Sequence, residues 1–230
     1  MRKTNTGLKV AACLAVSALM GGTAIAQTVI YDNSANALGR VTGEGNAEIG
    51  DAATFAPGNR EVTQISFEYF VAADTSPGST ALFGNETAQL FVYRLGADNL
   101  PTTLLYSSPT FSLVPGTSKG FGTATISGIN VAVSDSIAWT VNFSGVEGSE
   151  QAGLLFYNPP SVGSSPTFDP GDGAQHDFFL RHNVSGWTLL DTPNTIDNLG
   201  VRFTAVPEPS TIALMVGGLV TMGLIRRRKA

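Results

Sequence analysis

Several stretches of the chain alternate apolar and polar residues with a period of two. Across residues 63–71, Ile65, Phe67, Tyr69 and Val71 fall on one side, and Gln64, Ser66 and Glu68 on the other. Across residues 137–144, Ile137, Trp139, Val141 and Phe143 share one side. Successive side chains of a strand point to opposite faces, so this spacing predicts half-buried antiparallel strands. It makes Trp139 a core residue and Glu68 a solvent-facing one. Further strands are predicted over residues 28–32, 88–95, 103–106, 111–113, 122–129, 153–157, 177–182, 187–190 and 200–204, where β-branched and aromatic residues collect. Turn clusters separate them, among them Ala56-Pro57-Gly58-Asn59, Ser76-Pro77-Gly78-Ser79 and Asp169-Pro170-Gly171-Asp172-Gly173. Short strands, dense turns and no amphipathic helical stretch predict an all-β fold. The expected architecture is an antiparallel β-sandwich, jelly-roll-like.

Both ends of the chain break this pattern. Residues 1–26 begin with Arg2, Lys3 and Lys9, continue with an apolar run, and end in Ala24-Ile25-Ala26 before Gln27. That is the layout of a signal peptide cut after Ala26. Cys13 lies inside the apolar run rather than after it, which argues against a lipid-modified cysteine. At the other end, Val206-Pro207-Glu208-Pro209-Ser210 precedes an uncharged run over residues 212–225, closed by Arg226, Arg227, Arg228 and Lys229. The prolines force any helix to begin after them. A helix over 211–225 spans roughly 22 Å, short of a bilayer core, and the basic stems extend its reach. The basic cluster reads as a cytoplasmic stop under the positive-inside rule. The expected organisation is a signal peptide at 1–26, a body at 27–205, and a tail at 206–230 with one transmembrane helix.

Composition sharpens the picture of the body. Cys13 is the single cysteine of the chain, so a mature body has no disulfide and no thiolate chemistry. Between Gln27 and Val206 six Lys and Arg face 17 Asp and Glu, a net charge near −11. A body this acidic is a poor partner for nucleic acid.

Candidate chemistry is sparse. Gly116-Thr117-Ser118-Lys119-Gly120 matches the nucleophile-elbow pattern, but its strand-like flanks favour a hairpin loop. Asp169, Asp172 and Asp177 gather oxygen ligands that would suit calcium, without matching a known calcium-loop spacing. The two histidines, His176 and His182, would lie ~20 Å apart in one continuous strand, too far to share a metal. Seven glutamates (Glu44, Glu48, Glu61, Glu68, Glu86, Glu147 and Glu150) offer carboxylates for glycoside hydrolysis, and no spacing selects a pair. Trp187, just after Gly186, is the better placed of the two tryptophans to serve as a sugar-stacking platform. The expectation is a protein that is not an enzyme and has no obligatory cofactor.

The P-E-P triplet, the short apolar helix and the Arg-rich end closely resemble the PEP-CTERM sorting signal of exported bacterial proteins. The same kind of tail also carries the label ice-binding protein C-terminal domain. The body is similar to uncharacterised PEP-CTERM proteins in segments such as Trp139-Thr140-Val141-Asn142-Phe143-Ser144-Gly145 and Gly200-Val201-Arg202-Phe203-Thr204-Ala205. The resemblance implies export by signal peptidase and processing by an exosortase near Pro207-Glu208-Pro209. It implies passage through the inner membrane to the cell surface or extracellular matrix, and a structural or adhesive role there. The alternative is a secreted, lectin-like carbohydrate-binding module, with or without calcium assistance, that meets extracellular polysaccharide.

Overall fold

The computed structural model describes residues 27–42, 45–72, 85–113, 120–169, 171, 176–191 and 198–206. Thirteen described strands form two antiparallel sheets packed face to face. The first sheet runs β1 (Thr28–Asp32), β13 (Val201–Val206), β4 (Glu61–Ala72), β10 (Gln151–Tyr157) and β2 (Ala37–Val41), with β8 (Gly120–Ala132) along the other side of β4. The second runs β12 (Gly186–Leu190), β11 (Phe179–Asn183), β3 (Glu48–Thr54), β9 (Ser136–Ser144), β5 (Thr87–Leu95) and β6 (Pro101–Ser107), with β7 (Phe111–Ser112) also on β5. The chain crosses repeatedly between the sheets, as from β3 to β4 to β5 and from β8 to β9 to β10.

The period-two pattern sets the inner faces. Ile65, Phe67, Tyr69 and Val71 of β4 meet Ile137, Trp139, Val141 and Phe143 of β9, all buried. The Phe67 and Trp139 rings lie 6.2 Å apart, one from each sheet. Each large side chain buried this way contributes about 1.5–3 kcal/mol. Asp51 is buried on the same side and accepts hydrogen bonds from the Ala52 and Leu199 amides at 2.7 Å each. Its carboxylate thereby ties β3 to the segment that enters β13.

The pattern did not predict β2 or β3. β2 carries Gly39 and Arg40, and β3 carries Gly50, Asp51, Ala52 and Ala53, so neither alternates cleanly. β3 is nonetheless central, with residues 49–53 all buried. A Cβ at Gly50 would collide with the Trp139 carbonyl oxygen and the Thr140 backbone, so only glycine lets β3 and β9 approach this closely. β9 departs from half-burial too, because Ala138 and Thr140 on its second face are also covered.

Candidate functional site

The cover over that second face creates the most developed site among the described residues. Ala52, Ala138, Phe178 and Leu180 form a small apolar cluster on the outside of the second sheet, with Phe168, Tyr93, Trp187 and Leu189 packed against it. Phe168 comes from the segment between β10 and β11, which folds back so that Phe168 bridges to His176 and its ring meets Phe178 at 5.5 Å.

Beside this cluster, three half-buried rings and the exposed His182 line up across the strands. Phe91 and Tyr93 of β5 are 6.1 Å apart, Tyr93 and Trp187 of β12 are 5.6 Å apart, and Trp187 and His182 of β11 are 4.7 Å apart. His182 and Trp187 sit directly opposite each other in the β11–β12 register. The Tyr93 side chain spans β9 to donate its hydroxyl to Glu48 Oε1 on β3 at 3.0 Å. The Thr140 hydroxyl donates to the same oxygen at 2.6 Å. Burial, and then the Glu48 charge and hydrogen bond, hold the Tyr93 phenol above its ordinary range. A cavity of about 310 Å³ opens at the end of the ring row, lined by Asn46, Ala47, Glu48, Asn142, His182, Asn183 and Val184. The cavity thus sets one ring, His182, beside amides and a held carboxylate.

The first sheet presents a different outer face. Ser66, Thr123, Thr125 and Ser127 alternate there, with hydrogen bonds of 3.0 Å between Ser66 and Thr125 and between Gln64 and Ser127. Glu68 lies between two shallow cavities, one of about 250 Å³ reaching Arg202 and one of about 410 Å³ reaching Arg40 and Phe121. It accepts a short hydrogen bond from the Tyr157 hydroxyl. Glu68 thus faces outward, as its alternation predicts, and is also engaged. Glu48 and Glu68 sit on opposite outer faces of the sandwich.

The other sequence-selected residues fall as follows. Trp139 is fully buried in the core, and Trp187 stays half-buried in the ring row. His176 precedes β11 and pairs with Asp191 at 2.8 Å, so it does not share a strand with His182. Asp169 accepts from the Gly171 amide at 2.7 Å. Asp177 lies near enough to Tyr31 for its charge to help raise that phenol, after burial and Asp51. Asp172 lies outside the described residues, and among those described no three His, Cys, Asp or Glu side chains are placed to hold a metal. The Gly116–Gly120 turn falls largely outside them as well, with Gly120 alone described at the start of β8. Sequence reading did not single out Tyr93, and Glu48 was one of seven candidate glutamates with no spacing to select it. The available signal was the run Gln89-Leu90-Phe91-Val92-Tyr93, whose aromatics lie opposite its aliphatics and so mark a strand covered on both faces.

Gln27 and Val206, the first and last described residues, lie at one end of the first sheet. Thr28 of β1 pairs with Ala205 of β13, and Val206 pairs with Glu61 of β4. Ala205 is fully buried. Gln27, the expected first residue of the mature chain, therefore lies beside the strand that runs into the tail. Residues 205–229 match the PEP-CTERM protein-sorting motif. The chain carries an exosortase sorting tail. The PEP-CTERM motif marks an exported protein that passes through the membrane to the cell surface, with an exosortase as its processing partner. It begins on the last two residues of β13, so no spacer separates body from tail. Pro207, Glu208, Pro209, Ser210 and the basic residues Arg226, Arg227, Arg228 and Lys229 lie outside the described residues, as do Ala24 and Ala26. Among the described residues no helix is long and apolar enough to cross a membrane. No curated protein and no solved structure matches the chain.

Proposed function

We propose that this is a non-enzymatic structural or adhesive protein of the cell surface or extracellular matrix, built on a jelly-roll-like sandwich. The observation that carries the reading is the junction of the PEP-CTERM motif with a strand buried at four of its six residues. A cut at or after Pro207 would leave β13 whole, because its pairing ends at Val206. The body would then survive processing intact and be displayed or released as a folded unit. A non-catalytic role is supported by the engagement of the outward carboxylates, Glu48 by Tyr93 and Thr140 and Glu68 by Tyr157.

The test is intact mass of the protein from cells and from medium of its native host. A species starting at Gln27 and ending near Pro207–Pro209 is expected. A sole species that retains Arg226–Lys229 would make the tail a permanent anchor and defeat the surface-release reading.

A second reading, carbohydrate binding, is supported by the ring row ending in the Glu48 cavity. Affinity electrophoresis through gels containing host extracellular polysaccharide tests it. Retardation of the wild type that Trp187→Ala abolishes is expected, and equal mobility with and without polysaccharide would sink it.

A further inference from the structure

The strand register sets one row of side chains across the outer face of the second sheet. Trp187 of β12 lies opposite His182 of β11, and His182 lies opposite Glu48 of β3. Glu48 in turn lies opposite Asn142 of β9, and Asn142 opposite Gln89 of β5. Residues paired this way share a face, with side chains close enough to interact. The row crosses five strands and holds one carboxylate and no Lys or Arg. Glu48, Asn142 and His182 from this row line the cavity of about 310 Å³, together with Asn46, Asn183 and Val184.

The polar groups of this cavity are unevenly engaged. Val146 uses both ends of the Asn46 amide, and the Asn183 oxygen accepts from the Ser185 amide. Tyr93 and Thr140 both donate to Glu48 Oε1, which fixes the carboxylate in place before any ligand arrives. Among the described residues nothing donates to Glu48 Oε2, and the side chains of Asn142 and His182 make no hydrogen bond. The lining also has no basic residue to balance the Glu48 charge. A fixed anion with one oxygen unengaged, walled by the His182 ring and Val184, suits a ligand that brings a positive donor.

We propose that this cavity binds a sugar unit bearing a free ammonium group, with the ammonium against Glu48 Oε2. The inference rests on the carbohydrate reading and names the class of sugar for it. The ammonium supplies three donors and the missing positive charge, while ring hydroxyls both donate to and accept from the Asn142 amide. A body near −11 draws such cations toward it, and Glu48 decides where they dock. Calcium fits less well, because it takes six to eight oxygens and the lining offers one carboxylate. A lysine-bearing peptide fits less well too, because an extended chain docks along a sheet edge or a long groove. A cavity of about 310 Å³ is instead the size of a small-ligand site.

The experiment is calorimetric titration of the full chain in detergent micelles, near neutral pH and at physiological salt. The probes are a glucosamine trisaccharide, its fully N-acetylated counterpart and a lysine tripeptide. The wild type should bind the amine trisaccharide about tenfold or more tighter than the acetylated one, since acetylation removes the charge that Glu48 meets. Glu48→Gln should erase that preference at an unchanged melting temperature, because glutamine still accepts from Tyr93 and Thr140. Glu61→Gln removes the same charge from the first sheet and should keep the preference. Asn142→Lys should abolish binding by seating the protein's own ammonium in the cavity, which tests the site even if Glu48→Gln misfolds. Equal affinity for the two trisaccharides would overturn the ammonium site and leave the carbohydrate reading standing. Equal losses in Glu48→Gln and Glu61→Gln would reduce the binding to diffuse attraction by an acidic body. Equal affinity for the lysine tripeptide would overturn the sugar assignment. Binding of no probe would overturn the inference alone if the protein is still retarded in polysaccharide gels, and the carbohydrate reading with it if not.

Discussion

The two outer faces of the sandwich are built from the same alternation and end up unlike each other. On the first sheet, Ser66, Thr123, Thr125 and Ser127 point outward and Thr125 and Ser127 stay exposed, with burial on that side confined to residues such as Phe70. On the second, the outward residues of β3 and β9 are buried under Phe168, Phe178, Tyr93 and Trp187. The difference comes from a segment that folds back over one sheet. Wherever such a segment lands, an outer face becomes a second small core, and the rim of that core is where rings, amides and a held carboxylate collect. One molecule thus carries a candidate ligand surface on its covered side.

The largest effect should come from the covered face. Phe178→Ala should destabilise the protein by about 4 kcal/mol, since it empties the centre of the small apolar cluster. The urea midpoint measures it, and a loss no greater than that of an exposed substitution would erase the distinction between the faces. Gly50→Ala should cost about 3 kcal/mol by forcing β3 away from β9, read from the same denaturation curve. Tyr93→Phe should cost about 1 kcal/mol by leaving Glu48 with the Thr140 donor alone.

The Tyr93 change also sharpens the pH behaviour. The folded protein raises the Tyr93 phenol above its ordinary value of 10.0, which favours the protonated form. The stabilisation is therefore complete below pH 10 and is lost as pH rises beyond it. Wild-type stability should fall more steeply than that of Tyr93→Phe across this range, as followed by urea midpoints at successive pH values. Parallel slopes would remove Tyr93 as the cause. The smallest effect belongs to the uncovered face, where Thr125→Ala should change stability by no more than about 0.5 kcal/mol. A larger loss would mean that something covers that face after all.

Much of the fold was legible in the sequence, for an identifiable reason. The strands of residues 63–71 and 137–144 bury large residues on one face, and that imprint is direct. β3 left no such imprint, because a strand covered on both faces and squeezed between neighbours favours small residues over alternation. The candidate site was half legible. Trp187 stood out as an aromatic after a glycine, but Glu48 and Tyr93 are 45 positions apart and meet only across β9.

The sequence by itself determined the sorting tail, the all-β class and the identity of the central core. Each of these is written locally, as a contiguous motif or as a period along one strand. The tertiary structure decided which outer face is covered, which carboxylate is held by which hydroxyl, and that Gln27 and Val206 leave the body at the same end. Those outcomes depend on the pairing of distant strands, and no local pattern records which strand a distant partner will choose.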